Sequence, residues 1–262
     1  MNLSISNIAW SEESDITVYN LMNKLGFSGL EIAPTRIFPE APYEHLEDAA
    51  KWSEELKSDY KFIVPSIQSI WYGRSEKLFG SSEERQILLS YTKKAVDFAE
   101  AVGCRNLVFG CPRNRQMPES GNIETAEVFF KEAGDYAYDH HTVLALEANI
   151  PIYNTNFINR TKDALDLISR VGSPGFMLNL DTGTMIENRE EVSVLEGNTH
   201  LINHVHISEP GLDPIRKREL HSQLAELLRH NDYKGFVSIE VRKQENTESL
   251  ADMMEYVKSI FG

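Results

Sequence analysis

Short apolar runs alternate with stretches of helical periodicity about every 30 residues along the chain. Eight runs read as strands: 3–8, 30–32, 62–68, 106–109, 143–147, 176–181, 202–207 and 236–240. Between them, Val18, Leu21, Met22 and Leu25 recur at helical spacing and stop at Gly26, a residue suited to a helix C-cap. Residues 43–57 and 126–138 predict further helices. Ser81 and Glu84 have capping-box spacing ahead of the stripe Leu88, Tyr91, Ala95, Phe98 and Val102. Ala164, Leu165, Leu167 and Ile168 mark the next helix, and residues 192–199 another. Leu220, Leu224, Leu227 and Leu228 follow, and Leu250, Met253, Met254, Val257 and Ile260 close the chain. Strict alternation of apolar strands with helices predicts parallel strands with the helices outside. Eight units without a composition break predict one α/β domain over residues 1–262, closed as a (β/α)8 TIM barrel. An open doubly wound sheet is the alternative, weakened because no Gly-x-Gly-x-x-Gly follows the first strand.

Composition narrows the function. The chain has 262 residues, 41% of them hydrophobic, which suffices for a large core. Its formal charge is −14, from 40 acidic residues against 26 Lys and Arg. Such a surface repels phosphate backbones, so no nucleic-acid partner is expected. The start, Met1-Asn2-Leu3-Ser4-Ile5, has no basic leader, and no apolar run approaches the length of a membrane span. A cytoplasmic protein without membrane association is therefore expected. Cys104 and Cys111 fit no zinc or disulfide pattern.

The candidate chemistry lies in the second half. Glu147, Asp181, His206 and Glu240 stand at or near the ends of four successive predicted strands, 34, 25 and 34 positions apart. Barrel active sites form at the C-terminal ends of the strands, so parallel neighbours would bring all four to one point. Any one of them alone would more simply cap a helix or meet an arginine. Four in succession point to a metal site, because a buried carboxylate is costly unless paired or ligated. Three carboxylates and one imidazole form a hard shell, suited to one divalent ion. Mn²⁺ is the first choice, with Mg²⁺, Co²⁺ or Zn²⁺ as alternatives.

With Tyr233-Lys234-Gly235-Phe236-Val237-Ser238-Ile239-Glu240 and Gly26-Phe27-Ser28-Gly29-Leu30-Glu31-Ile32, this ordered ligand set resembles the sugar isomerase/epimerase-like (xylose isomerase-like) superfamily of TIM barrels. The resemblance spans the whole chain. It implies a metal-dependent isomerase or epimerase of a sugar or sugar derivative. Glu147 and Glu240 would act as acid and base on opposite faces of a carbon, through a metal-stabilised enediolate. A hydride shift, dehydration of a cyclitol or sugar acid, and a ligand-binding barrel without catalysis are the competing readings. Two departures stand out. Members often carry Asp-x-x-His after the sixth strand, where this chain has Asp181-Thr182-Gly183-Thr184, so Thr184 takes the place of a His that contacts substrate or a further metal. The endonuclease branch needs histidines after strands three and four, and Ser66-Ile67-Gln68 and Phe109-Gly110-Cys111 offer none.

Further substrate contacts are expected from residues near the same edge. Trp10 and Trp71 follow strands, and would stack on a sugar or plug the barrel mouth. His204 shares the strand face of His206 and is equally readable as a core histidine. Asn149 would orient Glu147 or substrate, or cap a helix. Glu209 would bind a hydroxyl or stay solvated, and Arg242 lies one strand period past Glu240. Arg36, Arg74, Lys77, Arg113 and Arg115 sit on the loops after strands two to four. They form either a solvated surface or an anion-binding wall opposite the metal, for a phosphate or carboxylate on the substrate, with Arg113 as the residue to test. Assembly into a homo-oligomer is open.

Overall fold

The computed structural model describes residues 1–262. Its strands are β1 (Asn2–Ser6), β2 (Gly29–Glu31), β3 (Leu107–Phe109), β4 (Leu144–Glu147), β5 (Phe176–Asp181), β6 (Ile202–Ile207) and β7 (Phe236–Ile239). All pair in parallel, in the order β2-β1-β7-β6-β5-β4-β3. The expected strand over 62–68 is reduced to isolated bridges, Ile63 to Gly29 and Ile67 to both Ile32 and Leu107. Pro65 accounts for this: it has no N–H to donate and interrupts the ladder. The segment still closes the ring. Leu30 N donates to Ile63 O at 2.9 Å, Gln68 N to Ile32 O at 2.9 Å, and Val108 N to Ile67 O at 2.8 Å.

The helices are α1 (Asp15–Leu25), α2 (Leu46–Tyr60), α3 (Ser82–Ala101), α4 (Ile123–Asp139), α5 (Thr161–Val171), α6 (Thr182–Asn188), α7 (Glu219–His230) and α8 (Thr247–Phe261). Gly26 ends α1 with φ of +79°, and Ser81 with Glu84 forms a complete capping box on α3. Helix α2 starts later than the pattern predicts, because residues Pro42–Glu44 form a 3₁₀ turn first. The larger correction concerns residues 192–199. They hold only 3₁₀ turns, Val192–Leu195 and the start of Thr199–Leu201, while the α-helix of this unit is α6, directly after β5. The Asp181 side chain accepts from Thr184 N at 2.6 Å and starts the helix there. None of the helices is long and apolar enough to cross a membrane.

One hydrophobic cluster of 64 buried residues runs from Leu3 to Phe261. The strands are less uniformly apolar than the sequence suggested. Leu3 and Ile5, or Leu178 and Leu180, join that cluster, while Ser4, Ser6, Asn179, His204, His206 and Ser238 alternate with them and are buried. This polar column inside the barrel is what the site is built on.

Candidate metal centre

Register sets the site. Glu147 is paired with Asn179, Asp181 with His206, and His206 with Ser238 across β4, β5, β6 and β7. Glu240 directly follows β7 and continues the ladder, its N–H donating to Ile207 O at 3.1 Å. One ligand atom each from Glu147, Asp181, His206 and Glu240 lies within 4.8 Å of the others. His206 Nδ1 is 3.0 Å from Glu147 Oε1 and 3.2 Å from Glu240 Oε2. Glu147, Asp181 and Glu240 line a cavity of about 190 Å³, together with Gln68, Asn149 and Tyr153 among others.

The other ring nitrogen of His206 explains its orientation. Nε2 is 2.9 Å from Glu31 Oε2, and the carboxylate can only accept, so Nε2 carries a proton. That bond turns Nδ1 towards the three carboxylates, the arrangement by which a buried carboxylate fixes a metal-binding histidine. Glu31 is completely buried, and Gln68 Nε2 donates to its other oxygen at 3.3 Å and to Ser6 Oγ at 2.5 Å. His204 Nε2 also lies 2.9 Å from Glu31 Oε2 but misses the direction of a hydrogen bond. Glu31 therefore underlies the site, and its signal was available: a carboxylate in the middle of the apolar run Leu30-Glu31-Ile32 needs a buried partner.

Glu147 is held from behind. Asn149 Nδ2 donates to its Oε2 at 2.9 Å and Asn179 Nδ2 to its Oε1 at 3.1 Å. Arg115, fully buried, donates from Nη2 to Glu147 O and to Asn149 Oδ1, both at 2.8 Å. Gly110 is required beside it, since a Cβ there would come within 2.9 Å of Glu147 Oε2. Asp181, besides capping α6, accepts a short bond from Ser208 Oγ.

The electrostatics call for a cation. Burial, with repulsion from Glu147 and Glu31, pushes the Glu240 carboxyl up to about 7, although His206 pulls against it. Burial and then Glu147 push Asp181 up to about 6. Burial opposes charge on His206, yet Glu240, Glu31 and Glu147 hold its imidazole protonated well above the ordinary range. The same imidazole, with His204, overcomes burial at Glu31 and holds that carboxyl far below its usual value. Three crowded carboxylates facing one imidazole and neutral amides are a donor set that a divalent ion would satisfy. The residues present fit such an ion.

The remaining sequence candidates separate. Asn149 lines the cavity. His204 sits below it against Glu31, and Thr184 is buried, its hydroxyl donating to Ala148 O at 2.8 Å rather than facing the cavity. Trp10 and Trp71 are buried, with Nε1 donating to Asp15 Oδ1 at 2.7 Å and Thr92 Oγ1 at 2.9 Å; Trp71 packs edge-on against Phe109 and Phe129. Neither lines the inner cavity. Glu209 is engaged by Arg218 at 2.7 and 2.5 Å, and exposed Arg242 pairs with Asp213 at 2.8 Å; neither lines the inner cavity. Of the basic loop residues, Arg36 pairs with Asp15, Arg74 with Glu76, and Lys77 donates to Arg113 O. Tyr153 was not anticipated. Its hydroxyl accepts from Gly211 N at 2.9 Å, and burial beside Asp181, Glu240 and Glu147 raises its pKa to about 12.

A barrel carrying an acidic, single-histidine cluster at the C-terminal ends of four consecutive strands defines the class. Within it, the chain belongs to the xylose isomerase-like TIM barrel family, whose model matches residues 20–260. No curated protein sequence matches it. Among solved structures it is similar to 3-keto-D-glucoside 4-epimerase from E. coli, with 19% identity, a TM-score of 0.76 and 99% of each chain covered. D-psicose 3-epimerase from Clostridium cellulolyticum H10 aligns with 14% identity and a TM-score of 0.79, over 100% of this chain and 99% of the other. A probable 3-DHS dehydratase from Bacillus anthracis aligns with 16% identity and a TM-score of 0.67, over 99% of this chain and 98% of the other.

Proposed function

We propose that the protein is a divalent-metal-dependent isomerase or epimerase of a sugar or sugar derivative. The observation that carries this reading is the placement of Glu147 and Glu240, from two different strands, on the wall of one small cavity, 3.0 and 3.2 Å from His206 Nδ1. Glu147, Asp181, His206 and Glu240 would hold the ion, with Mn²⁺ as first choice for so oxygen-rich a shell. When bound, the ion supplies Lewis-acid stabilisation of the enediolate that forms as a carbon-bound proton leaves. Glu147 and Glu240 reach the cavity from β4 and from the end of β7. They can therefore take a proton from one face of a substrate carbon and return it on the other. Asn149 and Asn179 fix the Glu147 carboxylate for that transfer, and Asp181 remains tied to α6 and Ser208. The two similar epimerases support the reading.

The test is a panel of ketoses and aldoses incubated with the Mn²⁺-loaded protein in deuterated water. Inversion or carbonyl migration with deuterium at the reacting carbon is the expected result. Turnover without deuterium would replace proton transfer by a hydride shift. Release of water from a cyclitol or sugar acid would favour dehydration, the reading that the similar dehydratase keeps open.

A further inference from the structure

The inner cavity does not end at its own wall. Ser69, Cys111 and Pro112 border it and also border an outer cavity of about 610 Å³. At about 190 Å³ the inner chamber is smaller than a typical small-molecule site of roughly 300–1,000 Å³, and the two together reach that range. The outer wall is formed in part by Tyr72, which is 71% exposed, and by Arg113.

Arg113 differs from the other cations of these loops. Arg36 and Arg74 are neutralised by Asp15 and Glu76, Lys77 is bonded to a backbone carbonyl, and Arg115 is buried beneath Glu147. The Arg113 guanidinium has no partner in the protein. Its backbone is nonetheless anchored on both sides. It lies in the 3₁₀ turn Pro112–Asn114, whose Asn114 donates to Arg74 O at 3.0 Å and Glu76 O at 2.9 Å. Lys77 Nζ holds Arg113 O at 2.7 Å, and Arg115, two residues on, is locked into the core. An exposed cation on so fixed a turn has already lost much of the chain entropy that binding would otherwise cost.

We propose that the substrate is a sugar extended by an anionic group, carboxylate or phosphate. Its reacting carbons occupy the inner chamber, and its anion, past Ser69, Cys111 and Pro112, meets Arg113 in the outer one, whose wall includes Tyr72. A guanidinium fork suits both anions. The placement of the reacting end rests on the isomerase reading, whereas the anion site stands on the outer cavity.

The experiment uses the full-length, Mn²⁺-loaded protein and two readouts. Calorimetry with a non-reacting polyol, its phosphate and the matching sugar acid measures binding, and kcat/KM for the corresponding keto sugars measures turnover. An anionic member should bind at least about tenfold more tightly than the neutral polyol, the scale of a charged hydrogen bond. Arg113→Ala should reduce that ratio by about tenfold, and Arg113→Lys should keep part of it. The stronger of the phosphate and acid arms identifies the anion. Equal affinities in the unmodified protein, or a ratio untouched by Arg113→Ala, would overturn the proposal. An Arg113-dependent binding ratio with no turnover of any sugar would uphold the anion site and remove the isomerase reading. Turnover of neutral sugars without anion preference would do the reverse.

Discussion

The two halves of the barrel wall contribute to the site in opposite ways. From β4 to β7 the strands are continuous and adjacent, with one register shift at Leu178/Asn179, and each delivers one member of the cluster within a residue of its C-terminal end, so register assembles Glu147, Asp181, His206 and Glu240. From β1 through residues 62–68 to β3 the wall is interrupted by Pro65, and no strand end there offers a ligand to the cluster. That half acts from beneath and from the rim. Glu31 and Gln68 orient His206 from within the barrel, Arg115 braces β4, and the loops shape the cavity mouth. On the proposed reading, the β4–β7 wall carries the reacting groups, and the other half orients them and shapes the way in.

The largest effect should come from the regular half. Glu147→Gln and Glu240→Gln keep side-chain volume but remove a proton acceptor, and each should lower kcat by about 10²–10⁴-fold. Circular dichroism should show the fold retained. Near-normal turnover in either variant would break the assignment of chemistry to this wall.

Glu31→Gln tests the irregular half next. The amide can no longer hold a proton on His206 Nε2 as the carboxylate does. Metal affinity measured by titration should fall by about 10–100-fold, the usual consequence of losing such a support. Unchanged affinity would make Glu31 a packing residue and leave the regular wall self-sufficient.

Acid–base linkage gives a smaller effect with a definite sign. In the metal-free protein Glu240 and Asp181 titrate near 7 and 6, above their ordinary 4.5 and 3.8. Between about pH 4 and 7 the unfolded chain therefore binds fewer protons than the folded one at these sites, so stability falls as pH rises. His206, raised in the fold, loses its contribution in the same direction as pH rises. Glu31 is lowered, so its contribution is lost only as pH falls below its ordinary value of 4.5. The Tm of chelator-treated protein should decrease by several degrees from pH 5 to 7.5. Added Mn²⁺ should restore it most at the upper end, where the carboxylates are ionised. A Tm that rises with pH in the chelated protein would contradict the crowding of carboxylates.

The legibility of the sequence follows the same division. Glu147, Asp181, His206 and Glu240 are visible because a charged or titratable residue ending an apolar strand is unusual, and parallel strands of similar length bring such ends together. The third strand was misread because its apolar run outweighed Pro65, whose missing N–H leaves only bridges. Helix α6, Thr182–Asn188, carries no apolar stripe comparable to those of the longer helices and is started by the Asp181 side chain. Glu31 satisfied the same burial argument as the four ligands, from mid-run rather than from a strand end. Arg115 carried no comparable signal. Nothing in a basic loop distinguishes the arginine that turns inward from Arg113, which stays exposed, because the choice depends on Glu147 O and Asn149 Oδ1 on another strand.

The smallest expected effect is the sharpest check on where recognition ends. Strand alternation places Arg242 on the face of Glu240, but the ladder ends with the Glu240 N–H, and by Arg242 the backbone donates instead to Leu212 O at 2.9 Å. Once the chain leaves the sheet, a period of two no longer governs direction. The Arg242 side chain is 63% exposed and pairs with Asp213, itself 40% exposed, and so open an ion pair is worth about 0–1 kcal/mol. Arg242→Ala should therefore leave kcat/KM within about twofold and shift Tm by at most roughly 2–4 °C. Glu240→Gln, two positions earlier, should remove turnover. A tenfold rise in KM from Arg242→Ala would move substrate recognition onto the regular wall. It would erase the division between a half that reacts and a half that selects.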